Sequence, residues 1–249
     1  SLLEKVKKVI ERLLEIHKKL LEELKRLIEK VLRITRENLE EVKRLIKRAV
    51  EILRRIAEEK DKDTVEKLIR DLERELEKVL DDSRRLAEEL ERELEKVLRE
   101  WEEKSKRAME ELDEVIKRLI KEAGDRSEKL RIVEEIVKDL ERADEDVIRK
   151  VKELLEEHLR LHRELNRLIK EVLDDLLRAL RELAESRTRE EEVTRKIEEL
   201  RKKLTKLIRE LEETLKEVKK RNEDALRRLE KESKDLAERV RRLIEELEK

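Results

Sequence analysis

Leu72-Glu73-Arg74-Glu75-Leu76-Glu77-Lys78-Val79-Leu80 occurs twice in this chain, the second time unchanged from Leu90 to Leu98. The two copies are offset by 18 residues, which at about 3.6 residues per turn is five whole turns. Identical side chains therefore return to the same angle of a straight helix. A strict heptad would drift around the axis and impose a left-handed supercoil. The repeat thus reads as one stretch of a long, straight, amphipathic helix laid out on a regular geometric plan.

The composition around it fits that reading. Charged residues make up 56% of the 249 residues, with 69 Lys and Arg against 70 Asp and Glu. The two signs are interspersed, as in Glu73-Arg74-Glu75, so no broad field of one sign arises. That argues against electrostatic capture of nucleic acid or of an anionic membrane. High charge with few hydrophobics can signal disorder. Here, however, the apolar residues (37%) are mostly Leu, Ile and Val at helical spacing, the pattern of long helices in a bundle.

The absences sharpen the picture. The chain has no Pro, Cys, Phe, Tyr or Gln and a single Gly, Gly124. Average usage would supply roughly 12 Pro and 17 Gly in a chain of this length. Such a vocabulary favours strong helix formers throughout. Without Cys there is no disulfide, thiolate nucleophile or Cys-ligated metal. No apolar run approaches a membrane span and no signal-peptide pattern opens the chain, so a soluble protein is expected.

The apolar stripe is interrupted in three places. Glu59-Lys60-Asp61-Lys62-Asp63 has no apolar residue, and Asp63 or Thr64 can cap the helix that follows. Ala123-Gly124-Asp125-Arg126-Ser127 places the only Gly where a left-handed residue ends a helix, with Ser127 as the next cap. Ser186-Arg187-Thr188 precedes Glu190, Glu191 and Glu192, whose charges suit a helix N-terminus. The expected helices are about 2–59, 64–123, 127–185 and 189–248, each about 90 Å long at 1.5 Å rise per residue. Short connections make neighbours antiparallel. The fold class is therefore all-α, a single-chain up-down-up-down four-helix bundle forming one domain.

Arg142-Ala143-Asp144-Glu145-Asp146 is a rival loop that would split the third helix. Val133, Val137, Leu140, Asp144, Val147, Val151 and Leu154 nevertheless keep a 4,3,4,3,4,3 spacing through it, and an unbroken helix is expected. The first helix carries extra apolar width at Leu13-Leu14, Leu20-Leu21 and Leu27-Ile28. The third does so at Leu154-Leu155, Val172-Leu173 and Leu176-Leu177. The fourth is thin, with Leu200, Leu204, Leu207, Leu211 and Leu215 and little beside them. Either the first and third helices meet across the short diagonal of a flattened bundle, or the extra face engages a partner chain.

Several polar residues interrupt the stripe, and their levels coincide. In an antiparallel bundle, residue i of the first helix faces about 123−i on the second, 127+i on the third and 247−i on the fourth. His17 is then level with Ser105 and Asp144, with Ser233 a turn away. Thr35 and Asn38 map near Ser83, His162, Asn166 and Thr205, with His158 and Thr214 about one turn off. His17 and Thr35 differ by 18, as do Asp144 and His162. Trp101 lies 18 after Ser83 and is expected opposite Ala225, a large-small pairing suited to a core. A buried polar group left without a partner costs about 1–3 kcal/mol, so clustering at shared levels points to partnered groups.

With long equal helices, terse loops, Leu, Glu, Lys and Arg dominance and His, Asn, Ser and Thr at shared levels, the chain resembles computationally designed helical bundles with buried hydrogen-bond networks. The resemblance covers the whole chain and implies that the polar layers fix register and pairing. It implies no natural biochemical activity.

The same residues include the side-chain types that metal and nucleophilic chemistry use. His158 and His162 are spaced i,i+4, a chelating separation, but His158-Leu159-Arg160-Leu161-His162 lacks the Glu of a zinc-protease helix and no third ligand is identifiable. The Glu-x-x-His pattern of di-metal carboxylate bundles is absent because Leu155 and Leu159 occupy the needed places. His17 and His158 are offset by about 14 residues in level, or about 21 Å, too far apart to ligate one haem. His17 with Asp144 and Ser105 invites comparison with a nucleophilic triad, yet a close-packed bundle offers no obvious cleft or oxyanion hole. The expectation is a protein that is not an enzyme, with no cofactor, metal, nucleic acid, membrane or small-molecule substrate. It would act as a structural scaffold needing no partner, or associate with itself or another designed helical chain. The alternative is an interaction or oligomerisation module using the broad faces of helices 1 and 3. Burial of neutral His158 and His162 would make it pH-responsive, since acid would charge them.

Overall fold

A computed structural model describes residues 1–58, 61–123, 127–185 and 190–249, and these form four helices with no strand among them. They are α1 (Leu2–Glu58), α2 (Lys62–Ala123), α3 (Ser127–Glu185) and α4 (Glu190–Glu248). The chain is an all-α four-helix bundle, and the helix ends fall within two residues of those expected. α3 runs unbroken through Arg142–Asp146, with Asp144 buried on the same stripe as Leu140, Val147 and Val151. The cap of α2 is not Asp63 or Thr64 but Asp61. Its Oδ1 accepts from the Asp63 backbone N–H at 3.2 Å and its Oδ2 from the Thr64 hydroxyl at 2.9 Å. A carboxylate just ahead of the first turn satisfies an otherwise unpartnered N–H and meets the positive helix end. Gly124, the Ser127 side chain, and Ser186, Arg187 and Thr188, taken above as turn and cap residues, lie outside the described residues.

The helices build two compact units. Unit 1 comprises Ser1–Glu29, Leu90–Leu155 and Arg221–Lys249, so that parts of all four helices contribute to it. Its core joins Val6, Val9, Ile10, Leu13 and Leu14 of α1 to Ala108, Leu112 and Val115 of α2. Val133, Ile136 and Leu140 of α3 and Ala237, Val240, Ile244 and Leu247 of α4 complete it. These positions recur every three or four residues, so each helix turns one stripe inward and leaves its charges in water.

Unit 2 comprises Lys30–Glu89 and Glu156–Lys220. Here α1 gives Leu39, Val42, Leu45, Ile46, Ala49 and Ile52, and α2 gives Val65, Ile69, Leu72 and Leu76 from the first copy of the repeated phrase. α3 adds Leu165, Leu173, Leu177 and Ala179. Among the described residues α4 adds Leu204 to this cluster, with Leu200, Ile208, Leu211 and Leu215 half-buried against it. The thin stripe of the fourth helix is thus visible as shallower burial. The broad faces are covered: Leu13, Leu14, Leu20, Leu21, Leu27 and Ile28 of α1 are buried, as are Leu154, Leu155, Leu173 and Leu177 of α3. The Val172 and Leu176 side chains lie outside the description. Among the described residues, Ile120 is the one large hydrophobic that is exposed, at 49%.

Ion pairs between helices report the register. In unit 1 Arg12 of α1 pairs with Glu111 of α2, and in unit 2 Arg48 pairs with Glu75. Both pairs of residue numbers add to 123, as the hairpin arithmetic requires. Between α1 and α4, Lys7–Glu248 at 2.7 Å and Lys25–Glu230 at 2.6 Å in unit 1, and Lys43–Glu212 in unit 2, each add to 255. The expected value was 247, so these contacts are displaced by eight residues, about two turns. In unit 1 Arg239 of α4 also spans Glu135 at 3.0 Å and Asp139 at 2.9 Å on α3. Arg181 of α3 pairs with Glu73 of α2 in unit 2.

The 123 register has one misfit. Lys19 and Lys104 also add to 123, and the Lys104 ammonium is held below its ordinary pKa chiefly by Lys19 beside it, then by desolvation, against opposing pulls from Glu100 and Glu23. Lys104→Glu converts this like-charge contact into the ion pair found at Arg12 and Arg48, so its melting temperature should rise slightly in low salt and the gain should fade in high salt. A decrease in low salt would contradict the register. In the core, Leu204→Ala should cost about 2–5 kcal/mol, the range for truncating a buried Leu. Leu207→Ala on the same helix, half-buried, should cost clearly less by urea denaturation.

Candidate functional site

Two groups of polar side chains lie inside the apolar stripes, one in each unit. In unit 1, His17 of α1 is 1% exposed and its Nδ1 donates to Asp144 Oδ1 of α3 at 2.6 Å. The carboxylate can only accept, which assigns the Nδ1 proton and fixes the ring's orientation. The two residues differ by 127, the offset expected from the sequence. Ser233 of α4 is buried and lines one cavity with His17. Ser105 is half-buried, but its Oγ bonds to nothing among the described residues, and neither does Trp101 Nε1 one turn before it. The structure therefore brings His17 and Asp144 into contact and leaves Ser105 unjoined to them. Ala225 is buried and Trp101 half-buried.

Unit 2 holds the larger group. Thr35 and Asn38 of α1, Ser83 of α2, and His158 and His162 of α3 are buried, with Asn166 half-buried. Thr35 Oγ1 lies 2.8 Å from the Val31 carbonyl and 2.6 Å from His162 Nε2. A hydroxyl has one proton, and the carbonyl can only accept it. Thr35 must therefore accept from His162 Nε2–H. That leaves His162 Nδ1 as the lone pair, facing Asn38 Nδ2 at 3.5 Å and the Ser83 hydroxyl at 3.4 Å, both able to donate. Asn166 Nδ2 in turn donates to Ser83 Oγ at 2.8 Å, and Asn38 Nδ2 to Asn166 Oδ1 at 3.4 Å. The hydrogen bonds form a directed chain from Asn166 through Ser83 and His162 to Thr35 and Val31. Only the neutral Nε2–H imidazole completes it. Thr35 and His162 again differ by 127.

Two expected members do not belong. Thr205 is exposed and donates to the Arg201 carbonyl at 2.9 Å, and Thr214 is half-buried and donates to the Glu210 carbonyl at 2.8 Å. Thr205 follows buried Leu204, which turns it about 100° away from the core at 3.6 residues per turn. Each hydroxyl is satisfied by its own helix four residues back. The α1–α4 ion pairs also set a register displaced from the one that made these threonines level with Thr35. One buried polar residue was missed: Asn222 of α4, fully buried in unit 1. Its signal was present, for Val218, Asn222, Ala225 and Leu229 continue the 4,3,4 spacing of the α4 stripe.

Burial governs the electrostatics of the unit 2 group. Desolvation, with a smaller repulsion from His162, pushes the His158 pKa down from 6.5 to about 4, and desolvation alone does the same to His162. The neighbours of His162 from α1 and α2, namely Thr35, Asn38 and Ser83, are neutral. Burial, not a neighbouring charge, sets the His162 shift. Among the described residues no set of three His, Asp or Glu side chains is gathered as a metal site, and no helix is long and apolar enough to cross a membrane. The chain matches no protein-family model, and no curated protein or solved structure matches it.

The depressed values set a pH dependence. In the unfolded chain each ring titrates near 6.5, in the folded one near 4. Between those values the unfolded chain binds protons that the folded one refuses, so this stability is complete above about pH 6.5 and lost as the pH falls toward 4. The loss is on the order of 3 kcal/mol per ring at 1.36 kcal/mol per pKa unit. Urea denaturation should show a folding free energy several kcal/mol smaller at pH 4.5 than at pH 7.5, and the double variant His158→Asn, His162→Asn should flatten that slope. Equal slopes in parent and variant would mean that the rings do not carry the effect.

Proposed function

We propose that this chain is a structural scaffold or building block without biochemical activity of its own, in which the buried polar layers specify how the helices pair and at what register. The observation that carries the reading is the α1–α3 pairing at an offset of 127 in both units by chemically different layers. His17 meets Asp144 in one, and Thr35 meets His162 in the other. The apolar pattern repeats after 18 residues, so a slip of α3 by 18 along α1 is an error that the hydrophobic stripes tolerate. It would set Thr35 against Asp144, or His17 against His162, and break the hydrogen bonds of the affected layers. Each polar group orphaned that way costs about 1–3 kcal/mol. Resemblance to designed bundles with buried hydrogen-bond networks supports the same role.

The interaction-module alternative is less well supported, because the broad faces of α1 and α3 are spent inside the units. A pH-responsive use of the scaffold is favoured by one specific observation, the burial of two neutral histidines. Acid would act there as a destabilising input.

Light-scattering mass across a range of concentrations, combined with spin labels on exposed α1 and α3 positions, tests the scaffold reading. A constant mass near 30.4 kDa and a single label–label distance are expected. Replacing the unit 2 layer by apolar residues (Thr35→Val, Asn38→Leu, Ser83→Ala, His162→Leu, Asn166→Leu) should keep or raise thermal stability while broadening that distance distribution. A mass that doubles with concentration would favour the oligomerisation module. An unchanged single distance in the apolar variant would remove the register role.

A further inference from the structure

The His17–Asp144 pair in unit 1 borders a cavity of about 300 Å³ between α3 and α4. Ala143, Val147, Leu229 and Leu236 give it an apolar lining, and charged side chains, the half-buried Asp139 among them, line the rest. His17 reaches it from α1, and Ser233, buried on α4, adds a hydroxyl. With Nδ1 engaged by Asp144, the remaining polar atom of the imidazole is Nε2, which is buried and takes no partner among the described residues.

A buried imidazole nitrogen without a partner is destabilising, and cavities that offer polar groups are the places where proteins hold small hydrogen-bonding molecules. A water in liquid occupies about 30 Å³, and an apolar cavity of about 150 Å³ admits benzene. The volume here is ample for either a water cluster or a small ring. With Nδ1 engaged by Asp144, the complement at Nε2 is a hydroxyl, which can donate to a ring lone pair or accept from a ring N–H. Ser233 Oγ can donate to that molecule's oxygen. The apolar wall disfavours a charged ligand, because an ion would lose its hydration against Val147, Leu229 and Leu236.

We propose that this cavity is a binding site for a small neutral hydroxyl compound, whose hydroxyl group hydrogen-bonds to His17 Nε2 and to Ser233 Oγ. Water and a small alcohol or phenol share that chemistry. The site would complete the unit 1 layer by joining α4 to the α1–α3 pair, and it stands whether or not the chain serves as a scaffold.

The test is NMR on histidine-15N-labelled full-length protein at pH 7.5, reading the His17 Nε2 resonance and its water cross-peaks while phenol is added. Saturable movement of that resonance, with loss of the water cross-peak, identifies an organic hydroxyl as a ligand. A persistent water cross-peak with no phenol response identifies water as the occupant. Neither signal would overturn the proposal. Where phenol binds, Ser233→Ala should weaken it about 2–10-fold, one neutral hydrogen bond, whereas Ser105→Ala should leave it unchanged. The reverse result would put the donor on the α2 side and overturn the site. Val147→Phe, which fills the wall, should abolish binding. Ser233→Ala removes only one oxygen and keeps the test decisive if the larger side chain disturbs folding.

Discussion

The hydrogen bond from His162 Nε2 to Thr35 Oγ1 ties α3 directly to α1 inside unit 2, and the rest of that layer is arranged around the proton it uses. Because Thr35 gives its own proton to Val31, the imidazole must donate at Nε2 and accept at Nδ1. Ser83 and Asn38 are then needed as donors on the far side, and Asn166 is needed to keep both in place. Substituting any of these groups with an apolar one would leave a partner's polar atom in a dry interior. The layer therefore constrains three helices at once, which no single leucine contact does, since leucine packs against any apolar neighbour of suitable volume.

The same requirement explains the electrostatic character of the interior. An imidazolium at His162 would present an N–H to the Asn38 amide hydrogens, and burial sets the balance. The ring is kept neutral by desolvation and by how its neighbours' protons are already assigned. In unit 1 the partner is a carboxylate, and the His17 ring is anchored through Nδ1. Two histidines 127 positions from their respective partners thus serve different electrostatic purposes: one imidazole is held by an anion, the other by dipoles. That difference makes the layers distinguishable to the helices that carry them.

Much of this was legible in the sequence, for reasons that particular residues make plain. Helices of strong formers with one turn of slack at each end have nearly fixed lengths, so the α1–α2 and α1–α3 registers followed from counting. His17–Asp144 and Thr35–His162 were found where arithmetic put them. Counting failed on α4 because errors accumulate through each connection, and the α1–α4 ion pairs stand eight residues from the expected level. It failed at Thr205 and Thr214 because level was weighed without angle: a threonine one residue past Leu204 faces water and bonds to its own helix. Asn222 was overlooked although it sits squarely within the α4 stripe. Nor could the sequence distinguish a covered apolar face on α1 and α3 from an unpartnered one, since periodicity records that a stripe is wide and says nothing of what it meets.

A regular helix plan creates a problem of its own. When apolar side chains repeat every five turns, the best packed arrangement and its 18-residue slip bury similar leucines, as the two copies of Leu72–Leu80 and Leu90–Leu98 illustrate. Hydrophobic burial scales with area, at about 25 cal/mol per Å², and area hardly changes under that slip. Discrimination must come from terms that depend on identity. Buried hydrogen bonds contribute only about 0.5–1.5 kcal/mol each when made, but unmade ones cost about 1–3 kcal/mol. The polar layers thus add modest stability to the correct register and a large penalty to the wrong one. A second copy of the same layer 18 residues away would have cancelled that penalty, because a slipped helix would find an equivalent partner. Pairing His with Asp at one level and with Thr at the other removes the equivalence.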